Sequence, residues 1–502
     1  MRMQLEGIMK KLFFIVSVSL ITWTFGQTST PYKKKVLEST EIQTLFSYYA
    51  QEGIHGAVGG GMGTEALTNS TPTLVVTVPL NEDTVLNVES GISTYTSASS
   101  SNINPFMGFP VSSNQASNYG VTPSKSSTPL IPSGASTAVV TNNNVETVTL
   151  GTPWFASSGA SRKDALKYVS ASITDYSDDR NTLWNANAYA STEYDYRSYG
   201  LGGSWTGLFN EKNTELSIKA KVYLDRWYPI YPTELHEYKK YGSNFLSSGY
   251  FQGVPLINQG GAVSDSYLPN KFSAWTNNNR SSVTLSASFS QILSSRVQFA
   301  LDADLVVQQG LLSTPYHRIY FKDTPNYYIG NASFIPNYTS PNNYGVFRLA
   351  DDIERMPDTR LKIPVGARLN MYLNDRLTLR TFYRYYYDDW GIQAHTASVE
   401  LPIKLSMKWT VYPSYRFYQQ TQATYFKPFG EHLSTDKFYT SDYDLSAFDS
   451  QQVGFGISYK DIFTNVRALG FGLKNIDFRF QHYYRSDGLE SIIYGLGVKF
   501  VQ

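Results

Sequence analysis

The sequence predicts an all-β chain, a transmembrane antiparallel β-barrel of about sixteen strands, and three observations carry that reading. Segments of about ten residues repeatedly alternate apolar and polar side chains, as strands with one greasy and one wet face do. The long connections between those segments all fall in one of two alternating sets. Composition closes the other routes: of 502 residues, 41% are hydrophobic and 15% aromatic, with a mean hydropathy of −0.30. A helical membrane protein needs runs of about 20 apolar residues, and only one weaker stretch exists, near the N-terminus. A disordered chain would be poor in aromatics.

Taken in order, Lys10 and Lys11 precede the apolar run 12–21, and Gly26-Gln27 closes it. A basic start, a short apolar core and a small residue before polar sequence describe a cleavable export signal over 1–26. Met9-Lys10-Lys11 opens that signal directly, which makes Met9 the natural first residue. Residues 27–53 are expected to be a periplasmic N-terminal segment. Within it, 40–53 reads equally as a short helix or as an extra strand. The helix would have Thr40 and Gln43 as a capping box and Gly53 as its stop; the strand would end in Phe46-Ser47-Tyr48-Tyr49.

The barrel is expected over 54–502. Strands are placed near 54–66, 72–80, 85–97, 163–176, 183–196, 197–209, 214–228, 281–291, 296–309, 361–373, 376–388, 394–403, 407–420, 451–461, 475–486 and 491–501. The count spans about 14 to 18, because 183–209 holds no turn signal. The last strand alternates most clearly: Ile492, Tyr494, Leu496, Val498 and Phe500 against Ile493, Gly495, Gly497, Lys499 and Val501. An aromatic close to the end of such a strand is similar to the recognition signal of outer-membrane barrels. Alternation alone also suits a soluble sandwich. Loop parity separates the two. Counted back from a periplasmic C-terminus, the long connections 421–450, 310–360, 229–280 and 98–162 are all extracellular, and the other set is short, the asymmetry of outer-membrane barrels. Connection 98–162, rich in Ser, Asn, Thr, Pro and Gly, cannot build a core. It reads as a long outer loop, partly folded inward, or as an interdomain linker.

Forty-two basic residues nearly cancel 41 acidic ones, so no basic field for nucleic acid exists. Cysteine is absent, which excludes disulfides, thiolate metal sites and thiol nucleophiles. Gly59-Gly60-Gly61-Met62-Gly63 has neither the helix nor the Lys of a phosphate cradle and reads as a glycine-bent strand. Six histidines are scattered without metal-ligand spacing. No motif supports a Ser–His or Asp–His pair, so a membrane-embedded hydrolase is the weakest functional reading. No catalytic, cofactor or metal residue is assigned.

Period-2 register points Arg368, Arg380, Arg384, Arg416, Arg479 and Arg485 inward, with Asp302, Asp304 and Asp477. They form either a wall-stabilising ladder or a selectivity zone for small anions or polar solutes. Tyr383, Tyr385, Tyr387 and Trp390 gather at a strand's outer end and read as an aromatic girdle at the lipid–water boundary. Asp388 and Asp389 read as solvated turn acids in preference to a calcium site with Asp351, Asp352 and Glu354.

Three segments carry a family resemblance: His55 to Glu65 (HGAVGGGMGTE), Gly91 to Asn102 (GISTYTSASSSN) and Tyr383 to Thr396 (YRYYYDDWGIQAHT). They resemble the outer-membrane β-barrel family known as domain of unknown function 3570, from about residue 50 onward. The resemblance implies a barrel in the outer membrane of a Gram-negative bacterium and transfers no catalytic residue.

The expected function is a passive channel or accessory pore component for small polar solutes. The alternative is a docking barrel that binds a surface or redox partner through its long loops. Expected partners are outer-membrane lipid, the barrel-assembly machinery during insertion, and a periplasmic or surface protein. Both termini are expected in the periplasm.

Overall fold

A computed structural model describes residues 35–97, 164–338, 345–468 and 470–502, with the backbone of two short strands, Thr137–Thr141 and Asn144–Val148. The expected export signal, and most of connection 98–162, lie outside the described residues. Sixteen long strands form one closed antiparallel barrel. They are β1 (Glu41–Glu52), β2 (Leu67–Pro79), β3 (Thr84–Ser97), β4 (Asp164–Tyr176), β5 (Thr182–Thr192), β6 (Tyr196–Phe209), β7 (Thr214–Trp227) and β8 (Asn279–Ser294). Then follow β9 (Val297–Gly310), β10 (Thr359–Asn374), β11 (Leu377–Asp388), β12 (Gln393–Glu400), β13 (Trp409–Gln420), β14 (Phe448–Lys460), β15 (Phe471–Arg485) and β16 (Glu490–Val501). Each pairs with its sequence neighbours, and β1 closes the ring on β16 from Glu41↔Val501 to Glu52↔Glu490. Closure leaves no unpaired edge, the condition for strands to cross a bilayer.

The first strand is where the sequence reading needs correction. Glu41–Glu52 is a barrel strand, so the wall begins there and not at 54. A capping box favours a helix only locally. Here every residue from Glu41 to Gln51 gains a ladder partner on both sides, on β2 and β16, and tertiary pairing outweighs the local preference. Residues 54–66, expected as the first strand, form instead the β1–β2 connection, with one 3₁₀ turn at Ala57–Gly59. The glycines explain it. Gly60 (φ 77°) and Gly61 (φ 87°) hold left-handed backbone, and a Cβ on Gly61 would meet the Ser441 carbonyl oxygen at 2.6 Å. Gly61→Ala is therefore expected to destabilise this connection by about 1–3 kcal/mol. Hydrogen exchange of the 54–64 amides, with the barrel ladder as internal control, would register it as faster exchange confined to the connection.

The register sorts the side chains. Leu224, Val283, Leu305, Val365, Val453 and Leu496 project outward and are exposed, as are many others like them around the ring. A continuous apolar belt of this size belongs against lipid. The inward positions carry Ser, Asn, Gln, Tyr, Gly and charged residues. The described turns at one rim are short, such as 80–83, 177–181, 295–296 and 375–376, whereas 228–278, 311–358 and 421–447 leave from the other.

Those three connections fold. They contain most of the buried apolar side chains of the described chain. Phe245, Phe251, Leu256, Tyr267, Ile329 and Leu349 form one cluster; Tyr231, Leu235, Phe272, Tyr320, Ala350 and Ile353 form a second. Each fully buried Phe or Leu contributes about 1.5–3 kcal/mol, so this is a core of the kind found in soluble domains. Helix α1 (Thr233–Tyr241) begins after Pro232, carries Glu234 in its first turn and Lys239 and Lys240 in its last, and stops at Gly242. Together these connections make a plug.

Candidate functional site: the lumen and its plug

Two cavities show where the plug sits. One, of about 550 Å³, lies between inner-wall residues of β1, β14, β15 and β16 (Tyr49, Gln452, Tyr483, Ser491), Val58 of the β1–β2 connection, and plug residues His317, Asp442 and Asp444. The other, of about 240 Å³, lies between Arg280, Gln308 and Lys362 on β8, β9 and β10 and plug residues Glu354, Asp442 and Asp444. These walls face each other across the ring. Asp442 and Asp444 border both cavities, so their segment crosses the lumen.

Ion pairs hold the plug internally and to the wall. Within it, Arg318 Nε donates to Glu234 Oε1 at 2.8 Å and Arg318 Nη2 to Oε2 at 3.3 Å, both side chains fully buried. The Ala350 N–H donates to the same carboxylate. Asp352 accepts from Arg355 and from the Tyr439 hydroxyl, tying two connections together. At the wall, Arg485 donates to Asp444, Asp487 and the Tyr443 carbonyl. Arg485 faces the lumen, on the inward register, but its side chain is only 4% exposed because it fastens the plug to the wall.

The acidic turn also departs from expectation. Asp388 is not a solvated acid; it is fully buried and accepts from Arg360, the Tyr386 hydroxyl and the Trp390 and Ile392 N–H groups. Trp390 is not part of a girdle. It is buried under the Arg360 guanidinium and donates its indole N–H to the Thr359 carbonyl, because Gly391 (φ 96°) turns the chain inward there. Tyr383, Tyr385 and Tyr387 lie on the outward register of β11, and the Tyr383 hydroxyl bonds His395 Nδ1 at 2.7 Å.

Towards the short-turn rim the lumen is wet. Arg368, Arg380 and Arg479 are on the inward register with side chains 61%, 50% and 43% exposed. Glu400 accepts from Arg380 through Oε1 and from Arg479 through Oε2, both at 2.8 Å. Arg384 and Arg416 stand higher on the same wall, nearer the plug-side ends of β11 and β13, and have no ion-pair partner among the described residues. Asp302 stands 3.9 Å from Arg368, and Asp304 follows on the same face of β9. Sequence reasoning missed Lys219 and Lys221, exposed on the inward register of β7, although alternation in 214–227 contained them. The lumen is mixed in sign, with its exposed arginines gathered on β10, β11, β13 and β15 and with Asp302 and Glu400 among them.

Burial perturbs several plug acids. It pushes the Asp351 carboxyl up to about 6, against the hydrogen bond donated by the Phe321 N–H and the nearby Arg348. A raised carboxyl stabilises the fold below its ordinary value near 3.8 and loses that contribution as pH rises through about 6. The plug is therefore expected to loosen between pH 4 and pH 7.5, and Asp351→Asn to flatten that dependence while keeping an acceptor for Phe321. Hydrogen exchange of 319–324 against pH checks this; an unchanged slope in the variant would assign the dependence to another group. Burial and then Asp444 hold Asp442 up at about 7. Burial alone would lower His317, but the Glu354 and Asp442 carboxylates hold it above its ordinary value.

With this geometry in view, comparison with known proteins adds one assignment. A family model described as "Protein of unknown function (DUF3570)" matches residues 12–490. The chain belongs to that family. The family segments fall in distinct places in the fold: HGAVGGGMGTE builds the glycine connection beneath the plug, and YRYYYDDWGIQAHT builds β11, its inward turn and the start of β12. No curated protein matches the DUF3570 chain in sequence. Among solved structures it is similar to a bacterial polysaccharide outer membrane secretin (TM-score 0.39, 9% identity, 92% of this chain and 98% of that one). It is also similar to a BenF-like porin from Pseudomonas fluorescens Pf-5 (0.36, 8%, 93% and 98%) and a Pseudomonas aeruginosa FadL homologue (0.34, 10%, 92% and 90%).

Proposed function

We propose that this DUF3570 barrel is an outer-membrane channel component for small polar solutes, anions above all, whose passage is restricted by the folded plug. In this reading the long connections face the exterior and both termini face the periplasm, which agrees with short turns on the inner side of such barrels. The observation that carries it is the exposed arginine wall beneath a rim crossed by a packed plug. Sixteen strands enclose more space than wall side chains fill, and the exposed guanidiniums mean that part of this space is open to water. The passage is narrow or intermittently open in this reading, because Asp442 and Asp444 lie across the lumen.

Purified protein in planar bilayers is expected to give small conductance steps with anion preference in a salt gradient. Cation preference would remove the arginine wall from the reading. A barrel that stays silent even after its plug is loosened would favour the docking alternative, in which the long loops bind a surface or redox partner.

A further inference from the structure

We propose that His317, Glu354 and Asp442 form a binding site for one divalent transition-metal ion of the zinc class, which staples the plug connections 311–358 and 421–447 together. The ligand-type atoms of the three side chains all lie within 4.8 Å of one another. His317 Nδ1 is buried, makes no hydrogen bond, and stands 3.5 Å from Glu354 Oε2 and 4.0 Å from Asp442 Oδ2.

A buried imidazole nitrogen facing two carboxylate oxygens has two ways to be satisfied: a proton on the ring, or a cation shared by all three groups. The surroundings favour the cation. The Glu354 carboxylate is 4% exposed, and its only ion-pair partner among the described residues is His317. The arginines that border the same cavities are committed elsewhere: Arg485 to Asp444 and Asp487, Arg280 to Asp225, and Arg360 to Asp388. A proton on His317 would meet one carboxylate oxygen, whereas a dication meets the imidazole lone pair and both carboxylates at once.

The carboxylates are also oriented as metal ligands are. The Thr314 N–H donates to Glu354 Oε1 at 2.7 Å and the Thr440 hydroxyl to Oε2 at 2.7 Å; the Asp444 N–H donates to Asp442 Oδ1 at 3.0 Å. These outer bonds fix which oxygen turns towards the histidine, as second-shell partners do. One nitrogen and two oxygens suit Zn²⁺ and its neighbours, whereas an imidazole ligand argues against calcium. Ligand atoms bound at about 2.0–2.2 Å sit roughly 3.3 Å apart around zinc, so the trio would need to close by about an ångström. Asp442, the most exposed of the three, has the room. It borders both cavities, which supply water for a fourth position and a route in.

The inference is independent of whether the barrel conducts. The test uses untagged, full-length protein in detergent, stripped with chelator and titrated with Zn²⁺ by calorimetry, with metal content checked by mass spectrometry. One zinc per chain is expected. Asp442→Asn, which keeps an acceptor for the Asp444 N–H, and His317→Gln should each weaken binding at least tenfold. Hydrogen exchange of the 314–320 and 440–444 amides should slow on zinc addition in the parent and not in the variants. Heat-modifiable migration in gels shows that each variant barrel is folded. Absence of stoichiometric zinc, or zinc that binds both variants as tightly as the parent, would overturn the assignment.

Discussion

Glu234→Ala is expected to release the plug while leaving the barrel intact. Glu234 and Arg318 are both fully buried and bonded through two nitrogen–oxygen contacts. Removing one partner leaves the other charge stranded in an apolar setting, a cost of about 3–5 kcal/mol. The penalty falls on the two hydrophobic clusters beside it, since Leu235 belongs to one and Arg318 lies over the Phe347 ring of the other. The wall pairs through its own ladders and takes no part in this ion pair. Limited proteolysis should therefore cut within 228–278 and 311–358 in the variant, with the barrel still resistant to detergent until heated. The paired replacement Glu234→Leu with Arg318→Met should recover much of the loss, because it removes both charges together. A single variant as protected as the parent would show that the plug does not depend on this pair.

Reversing charge on the arginine wall is expected to reverse ion preference. Arg384 and Arg416 are exposed, on the inward register, and without a carboxylate partner among the described residues, so their field acts on mobile ions and is not spent on neighbours. Arg384→Glu combined with Arg416→Glu changes the local charge by four units. In a tenfold salt gradient the reversal potential should change sign, both in the parent and in the Glu234→Ala background where current is larger. Arg485→Gln should behave differently. It would loosen the plug, because Arg485 is sequestered against Asp444 and Asp487, and should leave the sign of the preference alone. A double reversal without effect on selectivity would place the ion path elsewhere.

The barrel was readable from sequence because its rule is local. Each strand repeats its face every second residue, and a residue such as Leu305 or Val453 announces its side without reference to the rest of the chain. The error at the first strand shows where locality ends. Nothing within 40–53 decides between helix and strand; pairing with β16, far away in sequence, decides it. The plug was invisible for the same reason. Phe245, Ile329 and Leu349 meet in three dimensions from connections with no period, so their aromatics and aliphatics looked like ordinary loop residues. Arg485 and Trp390 obeyed strand and girdle patterns up to the point where the plug captured them. The trio His317, Glu354 and Asp442 shares no spacing that a motif search rewards, and only the folding of two connections onto each other brings it together.

The barrel wall is apolar outside and polar inside, and the proposed channel opens to water from the short-turn rim. The chain contains no cysteine, so single-cysteine variants in proteoliposomes report without background. A membrane-impermeant maleimide is expected to label Arg384→Cys and Ser286→Cys from the short-turn side, to label them far more slowly from the plug side, and to spare the outward Leu305→Cys from both. Rapid labelling of the two lumen positions from both sides would describe an open pore, and labelling of Leu305→Cys would contradict the barrel's placement in lipid.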